Sequence, residues 1–228
     1  MTATRAPRVT ACADQILRRV GLLANPYFAA LGDGSLTQDQ FRATQEQFFF
    51  AVRYFPRPLA ALLSRIPDPA ARVEILRNLV EEHGDFREDQ FHQNTFQKFL
   101  ESIGGQSPDV AGATMCPAVH AFNSVLMGAC ATDELDVGVG CLGIIEHAFA
   151  PISALIGQRV IERGWVAPGE LVHYALHAEL DVRHAEEFFA IIEAGWDDVR
   201  RRAAIRQGLE LGAYAFDQLY RSLHQLHE

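Results

Sequence analysis

The sequence predicts an all-α protein in which a single domain spans residues 1–228. Apolar residues recur at helical spacing through most of the chain, and few segments show the strict alternation of a β-strand. Proline and glycine residues mostly fall between the periodic segments, where helices end. At 228 residues, the chain can bury most of its apolar surface in one compact unit. We therefore expect a bundle of about seven to nine helices packed in two layers around one core.

Local sequence signals mark where several of these helices begin and end. Thr37 followed by Gln40 has the pattern of a capping box, which starts the second helix, and Pro56 ends that helix. Asp68 before Pro69 is typical of an N-cap followed by proline in the first turn, which starts the fourth helix. In chain order, the predicted helices cover residues 9–23, 37–55, 57–65, 69–84, 91–103, 116–131, 134–163, 167–192 and 195–226.

The polar segment that begins at Gly84 separates the fourth helix from the fifth. Glycine and polar residues break a helical pattern, so we expect the helix to stop there and a new one to start a few residues later. Phe96, Phe99 and Leu100 then recur at helical spacing and define the buried face of the fifth helix.

The eighth helix carries the most informative pattern, because two histidines and an aspartate lie on its buried side. At about 100° per residue, His177, Asp181 and His184 lie within about 60° of one another. Apolar residues flank them, whereas Glu179 and Glu186 lie on the opposite side. A buried carboxylate beside two imidazoles needs a compensating charge, which a divalent or trivalent cation supplies. The pattern predicts a site for one or two metal ions; the alternatives are a hydrogen-bonded core network and a solvated helix edge.

Further metal ligands are available on other predicted helices. Glu146 lies in an apolar run where an unpaired carboxylate is costly to bury, whereas its neighbour His147 points about 100° away and is assigned to structure. Glu81 and Glu82 end the fourth helix and point in different directions, so we expect only one to face the core, and the spacing does not decide which. His92 shares the buried face of the fifth helix, although a histidine that caps a helix end would show the same spacing.

The composition argues against several classes of partner. With 20 Lys and Arg against 29 Asp and Glu, the formal charge of −9 argues against nucleic acid and anionic membranes. The cysteines form no C-x-x-C pair and no metal-spaced cluster, so we interpret them as buried thiols of a reducing compartment. We identify no signal peptide and expect no stretch of transmembrane length. The protein is therefore expected in the cytoplasm. The cysteines are Cys12, Cys116, Cys130 and Cys141.

Together these motifs resemble those of the haem-oxygenase-like diiron oxidases and oxygenases, a branch of the helical superfamily that includes TenA-type thiaminases and PqqC. That family has a glutamate with a glycine three residues on, a histidine opening the next helix, a lone glutamate in a middle helix, and His-x3-Asp-x2-His in a late helix. The likeness spans about residues 36–187 and is most specific in the late motif. Here the pattern falls on Glu81 with Gly84, His92, Glu146, His177, Asp181 and His184.

The resemblance implies a haem-oxygenase-like helical bundle that binds two iron ions and acts as a non-haem, O2-dependent oxidoreductase. It also implies O2 as co-substrate, a small-molecule substrate and an external reductant as partners, and members of this family often form homodimers. The expected assignment is one iron on Glu81, His92 and His184, the other on His177 and Asp181, with Glu146 between the two.

The outcomes known for this family are N-oxygenation, desaturation, C–C cleavage and oxidative rearrangement of small metabolites in biosynthesis. We expect an amino acid or amine as substrate, because Arg53 can pair with a carboxylate. Phe48, Phe49 and Tyr54 are predicted to line the substrate cavity with Arg53, although an aromatic stripe at this spacing is more often ordinary core.

Three other functions fit parts of the pattern. A cofactor-independent enzyme similar to TenA or PqqC would use acid–base chemistry, but it would not need carboxylates beside three histidines. A non-catalytic helical protein that binds a partner would need a large exposed apolar patch, which the sequence does not obviously contain. A ferritin-like carboxylate bundle would carry Glu-x-x-His on each of two helices, a pair that this chain lacks.

Overall fold

The computed structural model describes residues 5–107 and 112–227, and within these ranges the chain is helical without a β-strand. Short 3-10 turns connect several helices, including residues 84–86 and 88–90. The all-α prediction is confirmed. The α-helices are α1 (Pro7–Val20), α2 (Pro26–Asp33), α3 (Gln38–Tyr54), α4 (Pro56–Leu63), α5 (Pro69–Glu82), α6 (His92–Ser102), α7 (Pro117–Ala131), α8 (Leu135–Glu162), α9 (Val172–Glu193) and α10 (Val199–His224).

Side-chain caps start helices α3 and α5 where the sequence predicted them. Thr37 N–H donates to Gln40 Oε1 at 3.0 Å, and Gln40 N–H donates to Thr37 Oγ1 at 3.3 Å, which completes the capping box. At the start of α5, Ala70 N–H donates to Asp68 Oδ1 at 3.0 Å. These bonds satisfy backbone donors that have no partner within the helix itself.

Helix α2 is an element that the sequence analysis missed. The predicted first helix extended to residue 23, but Gly21 adopts a left-handed backbone with φ 70° and ends α1 at Val20. Asn25 then caps α2 by accepting a hydrogen bond from Tyr27 N–H at 3.0 Å. Gly34, with φ 97°, ends α2 after eight residues. A helix this short displays too few turns to show a clear apolar period.

The long helix α8 forms the centre of the bundle and packs against α9 and α10. Two glycines of α10 permit the close approach: a Cβ at Gly208 would lie 2.2 Å from Val137 O, and one at Gly212 would lie 2.5 Å from Cys141 O. With a mean hydropathy of 1.7, α8 is long and apolar enough to cross a membrane, so the expectation of no such stretch is wrong. However, 78% of its most apolar window is buried inside the bundle, as in a core helix.

Aromatic contacts fix α6 against α9. The Phe99 ring meets the Tyr174 ring edge-on at 4.8 Å, and Phe96 meets the His173 ring in the same way, also at 4.8 Å. Both phenylalanines are fully buried, which confirms the predicted inner face of α6. Burial of each such ring contributes roughly 1.5–3 kcal/mol, so these pairs hold the start of α6 firmly beside α9.

The turn between α5 and α6 adopts left-handed backbone conformations at three successive residues. Gly84, Asp85 and Phe86 have φ values of 56°, 52° and 66°. A Cβ on Gly84 would lie 2.5 Å from the backbone carbonyl carbon of Gln90, so a side chain there meets both strain and a clash. The turn brings Glu82, the last residue of α5, close to His92, the first residue of α6.

We expect Gly84→Ala to lower the free energy of unfolding by about 2–4 kcal/mol, since it adds backbone strain and a steric clash. Gly21→Ala is the matched control, because Gly21 is also left-handed at φ 70° but a Cβ added there would have no other atom within 4 Å. That control should lose only about 1–2 kcal/mol. Urea denaturation of both variants checks the difference, and equal losses would contradict the proposed clash with Gln90.

Candidate metal centre

The inner face of α9 presents a row of ionisable side chains to the core. Asp181 and His184 are 0% exposed and His177 is 6% exposed. His173 lies one turn earlier on the same face and is also fully buried. Glu179 is exposed on the opposite side, as the helical spacing predicted. The row therefore lies inside the bundle and not along a solvated helix edge.

Glu146 of α8 meets this row and forms a compact group with Asp181 and His184. One ligand atom from each of these three buried residues lies within 4.8 Å of the other two. His184 Nδ1 is 3.7 Å from Glu146 Oε2 and 3.7 Å from Asp181 Oδ1. Asn78 of α5 donates a hydrogen bond from Nδ2 to Glu146 Oε1 at 3.2 Å, which orients the carboxylate.

A second pair of ligand-type side chains comes from the two ends of the α5–α6 turn. Glu82 Oε1 lies 3.0 Å from His92 Nδ1, and both side chains are at most 5% exposed. The two atoms lie at ion-pair distance without the geometry of a hydrogen bond. Two ligands at right angles on one cation lie about 3 Å apart, so this spacing suits shared coordination.

The other ring nitrogens of two histidines are held by carboxylates. His177 Nδ1 lies 2.9 Å from Asp181 Oδ1, and His184 Nε2 lies 2.6 Å from Glu81 Oε2. A histidine that binds a metal usually donates its other N–H to such an acceptor, which fixes the ring and the tautomer. This arrangement leaves His177 Nε2 and His184 Nδ1 as the candidate ligand atoms.

The structure separates the two adjacent glutamates that the sequence could not distinguish. Glu82 lines a cavity beside His92 and His177, whereas Glu81 lies on the other side of His184, at its Nε2 atom. Glu81 Oε2 also accepts a hydrogen bond from Arg183 Nη2 at 2.6 Å, and its side chain is 15% exposed. The sequence pattern predicted Glu81 as a metal ligand. In the structure, Glu81 instead contacts His184 at Nε2, the ring nitrogen that is not the candidate ligand atom.

Several buried atoms in this cluster have no hydrogen-bond partner among the described residues. An unsatisfied buried polar group costs about 1–3 kcal/mol, and a bound cation offers such lone pairs a common partner. The donor set of imidazole and carboxylate groups suits a divalent transition metal. The atoms are His92 Nδ1, His173 Nε2, His177 Nε2, Asp181 Oδ2 and His184 Nδ1.

The charges of the cluster shift the pKa values of its members. Burial alone would lower the pKa of His184, but the carboxylates of Asp181, Glu146 and Glu81 outweigh burial and raise this pKa to about 12. Burial also acts to lower the pKa of His177, and Asp181 again reverses the direction. Burial and the nearby Asp181 raise the pKa of Glu146. In the metal-free protein, the proton on His184 thus supplies positive charge to the cluster at neutral pH.

We expect Fe(II) to bind more tightly as pH rises from about 6 to about 8, because the metal must displace the protons held by His184 and His177. Each proton released makes the apparent dissociation constant about tenfold tighter per pH unit. Conversely, the raised pKa of His184 stabilises the metal-free fold below pH 6.5, and this contribution is lost as pH approaches 12. Calorimetry in two buffers of different ionisation enthalpy measures the protons released, and binding without proton release would contradict this account.

A cavity of about 50 Å³ adjoins the cluster. Its polar wall contains Glu82, His92, Glu146, His173 and His177. The remaining wall is apolar and largely aromatic, so the cavity brings a water-poor surface directly against the ligand-type side chains. The apolar residues are Phe48, Ala51, Val52, Phe55, Phe122, Ile145, Phe149 and Phe216.

Of the four residues predicted to bind substrate, only Phe48 lies in this wall. Phe49 is buried but packs against Phe96. Tyr54 is partly exposed and receives the Arg57 guanidinium over its ring at 5.3 Å. Phe49, Arg53 and Tyr54 do not line the cavity, because helical geometry places residues 48, 51 and 52 and the C-cap residue 55 on one face of α3.

Two residues of the site were not selected from the sequence, and one carried a usable signal. His173 precedes His177 by four residues and so continues the row formed by Asp181 and His184. Glu82 carried no signal that separated it from Glu81. His147, assigned to structure, indeed points elsewhere, since its Nε2 lies 2.8 Å from Asp14 Oδ1.

The sequence matches a known protein family over most of its length. The family model for iron-containing redox enzymes matches residues 42–217. The chain belongs to this family of iron-containing redox enzymes. This assignment confirms the resemblance that the glutamate, histidine and aspartate motifs indicated.

Individual relatives cover most of the chain. The 4-aminobenzoate synthase of Chlamydia muridarum is 28% identical over 181 residues, which are 79% of this chain and 75% of that protein. The 4-aminobenzoate synthase of Nitrosomonas europaea is 26% identical over 226 residues, covering 94% of this chain and 89% of that protein. A Shewanella denitrificans domain with a haem oxygenase-like fold has a TM-score of 0.71 at 16% identity, covering 97% and 90% of the two chains. The predicted fold is therefore confirmed.

Proposed function

We propose that this protein is a non-haem diiron oxidase or oxygenase that uses O2 to oxidise a small amine or amino acid. The observation that carries the proposal is the set of buried, unpartnered imidazole and carboxylate atoms where α5, α6, α8 and α9 meet. Membership in a family of iron-containing redox enzymes supports iron as the metal. The proposed ligands are Glu82, His92, Glu146, His177, Asp181 and His184.

The geometry favours a particular division of these ligands. Glu146, Asp181 and His184 already approach one another and would hold one iron. Glu82 and His92, 3.0 Å apart, would hold the other with His177. This division differs from the one implied by the resemblance, because Glu82 replaces Glu81 and the two histidines of α9 exchange places.

The chain's own residues would compensate the charge of the metal, position its ligands and limit the access of water. Iron, when bound, supplies the reduction of O2 and the oxidising power, with electrons from an external reductant. The carboxylates of Glu82, Glu146 and Asp181 compensate the positive charge, which is favourable in a buried site. Asn78 and Glu81 hold Glu146 and His184 in place through hydrogen bonds. The aromatic wall limits the access of water to the reacting atoms.

The experiment that tests this proposal is anaerobic titration of the metal-free protein with Fe(II), followed by exposure to O2. We expect about two irons per chain and O2 consumption with a change in visible absorption. A cofactor-independent TenA-like enzyme would show neither, and a ligand-free helical scaffold would bind no iron. Iron binding unchanged in His177→Ala would contradict the assignment of the site.

The relatives suggest a second candidate, the formation of 4-aminobenzoate. Two relatives that cover most of this chain are named 4-aminobenzoate synthases. Mass spectrometry of the products tests this candidate after the iron-loaded protein reacts with O2, a reductant and a small-molecule extract that supplies the precursor but is free of 4-aminobenzoate. Release of 4-aminobenzoate would support it, and its absence from a preparation that consumes O2 would leave oxidation of a different small amine as the function.

A further inference from the structure

The apolar part of the cavity wall extends away from the proposed metal ligands as a row of aromatic rings. The Phe149 ring lies 5.4 Å from the His177 ring between centroids, and Phe149 follows Glu146 by about one turn of α8. The Phe216 ring lies 6.0 Å from the Phe149 ring, and the Phe122 ring stacks on Phe216 at 5.7 Å. Phe149 therefore adjoins the ligands, whereas Phe122 belongs to the far end of the row.

This far end offers a ligand no polar group. Apart from the ligand-type side chains, every member of the wall that the structure describes is apolar. Phe122 and Phe216 are at most 5% exposed, so bulk water has little access to their rings. A polar group placed against them would lose its hydration without gaining a hydrogen bond, which is unfavourable. The far end of the cavity therefore suits hydrocarbon.

The volume of the cavity limits how large that hydrocarbon can be. An engineered apolar cavity of about 150 Å³ in another protein binds benzene. The cavity beside the proposed ligands is much smaller, at about 50 Å³. It has room for a short chain and not for a substituted benzene ring, because a close-packed wall does not stretch without cost.

We propose that the cavity binds a short, uncharged alkyl part of the substrate and that Phe122 limits the length of this part. The inference rests on the proposed function and narrows its substrate class from small amines and amino acids in general to those with a short aliphatic chain. The polar group of such a substrate faces the ligands, and its alkyl chain lies against Phe149 and Phe216.

Three alcohols test size and polarity separately. 1-Propanol is a short chain with one hydroxyl group, and benzyl alcohol carries a benzene ring. Ethane-1,2-diol matches 1-propanol in length but is symmetrical, so either orientation places a hydroxyl group at the apolar end. Anaerobic ligand-observed NMR titrations would measure the dissociation constants with the Fe(II)-loaded and with the metal-free protein. In both states we expect 1-propanol to bind at least about tenfold more tightly than either of the other alcohols.

Phe122→Ala tests the role of Phe122, because it removes a ring from the far end of the cavity. The affinity for benzyl alcohol relative to 1-propanol should rise at least about tenfold in this variant. Phe99→Ala is the matched control: Phe99 is fully buried but does not line the cavity, so the ratio should keep its wild-type value. Phe122→Leu removes fewer atoms and should shift the ratio in the same direction even if Phe122→Ala fails to fold.

Several results would overturn the proposal. They are wild-type protein that binds benzyl alcohol or the diol as tightly as 1-propanol, wild-type protein that does not bind 1-propanol, and an unchanged ratio in a folded Phe122 variant. Because the metal-free protein is also measured, failure to bind iron would refute the proposed function, while the alcohols would still decide the size and polarity of the group that the cavity accepts.

Discussion

Asp181→Asn is expected to reduce Fe(II) affinity by at least about 100-fold and to abolish O2-dependent turnover. Asp181 is fully buried, lies 2.9 Å from His177 Nδ1 and lies 3.7 Å from His184 Nδ1, so its charge serves both proposed iron positions. Replacing a carboxylate ligand with a neutral amide removes that charge at almost constant volume, and even groups behind the ligands contribute about 10–100-fold to affinity. Anaerobic titration with Fe(II) and measurement of O2 uptake check both expectations.

Asp14→Asn is the matched control for this variant. Asp14 Oδ1 lies 2.8 Å from His147 Nε2, so the same substitution removes a carboxylate from a histidine pair outside the candidate centre. The control should retain wild-type iron affinity and O2 uptake. Asp181→Asn protein that binds two irons with wild-type affinity would show that Asp181 is a hydrogen-bonded core residue and not a ligand.

Glu82→Gln and Glu81→Gln are expected to affect iron in different ways although the residues are neighbours. Glu82 faces the cavity beside His92, so Glu82→Gln should lose about one iron per chain. Glu81 acts through the Nε2 atom of His184, so Glu81→Gln should keep both irons and bind them about 10–100-fold less tightly. Iron content after gel filtration measures the stoichiometry, and competition with a chelator measures the affinity.

The two variants also control for each other, because each changes one carboxylate to an amide at the end of α5. Arg183 loses its 2.6 Å ion pair with Glu81 only in Glu81→Gln, and because its own side chain is 41% exposed, solvent screens this pair. If Glu81→Gln lost one iron and Glu82→Gln lost none, the assignment from the sequence pattern would be correct and the division of ligands proposed from the geometry would be wrong.

The sequence predicted which helix face carries most residues of the candidate site, because regular helices relate residue spacing to side-chain direction. His177, Asp181 and His184 were placed together from a single helical period, and α9 is long enough for that period to hold. Glu146 was identified by the cost of burying a charge within the apolar helix α8. Both placements depend only on local helix geometry, and the structure buries these residues and brings Glu146, Asp181 and His184 together.

Features that depend on helix ends and on tertiary packing could not be predicted from the sequence. Helix α5 ends at Glu82, and residues 84–86 are left-handed, so the orientation of Glu81 and Glu82 depends on how the turn folds against α6. Which residues of α3 line the cavity likewise depends on how this helix is rotated about its axis relative to its neighbours. Phe48 and Phe49 are adjacent in sequence and both buried, yet only Phe48 reaches the cavity.

Anomalous X-ray diffraction at the iron edge from crystals of the Fe(II)-loaded protein tests the central claim most directly. We expect two iron peaks about 3.5–4 Å apart. One should lie within bonding distance of Glu146, Asp181 and His184, and the other within bonding distance of Glu82 and His92. A single peak, or iron bound away from these side chains, would contradict the diiron centre proposed for this protein.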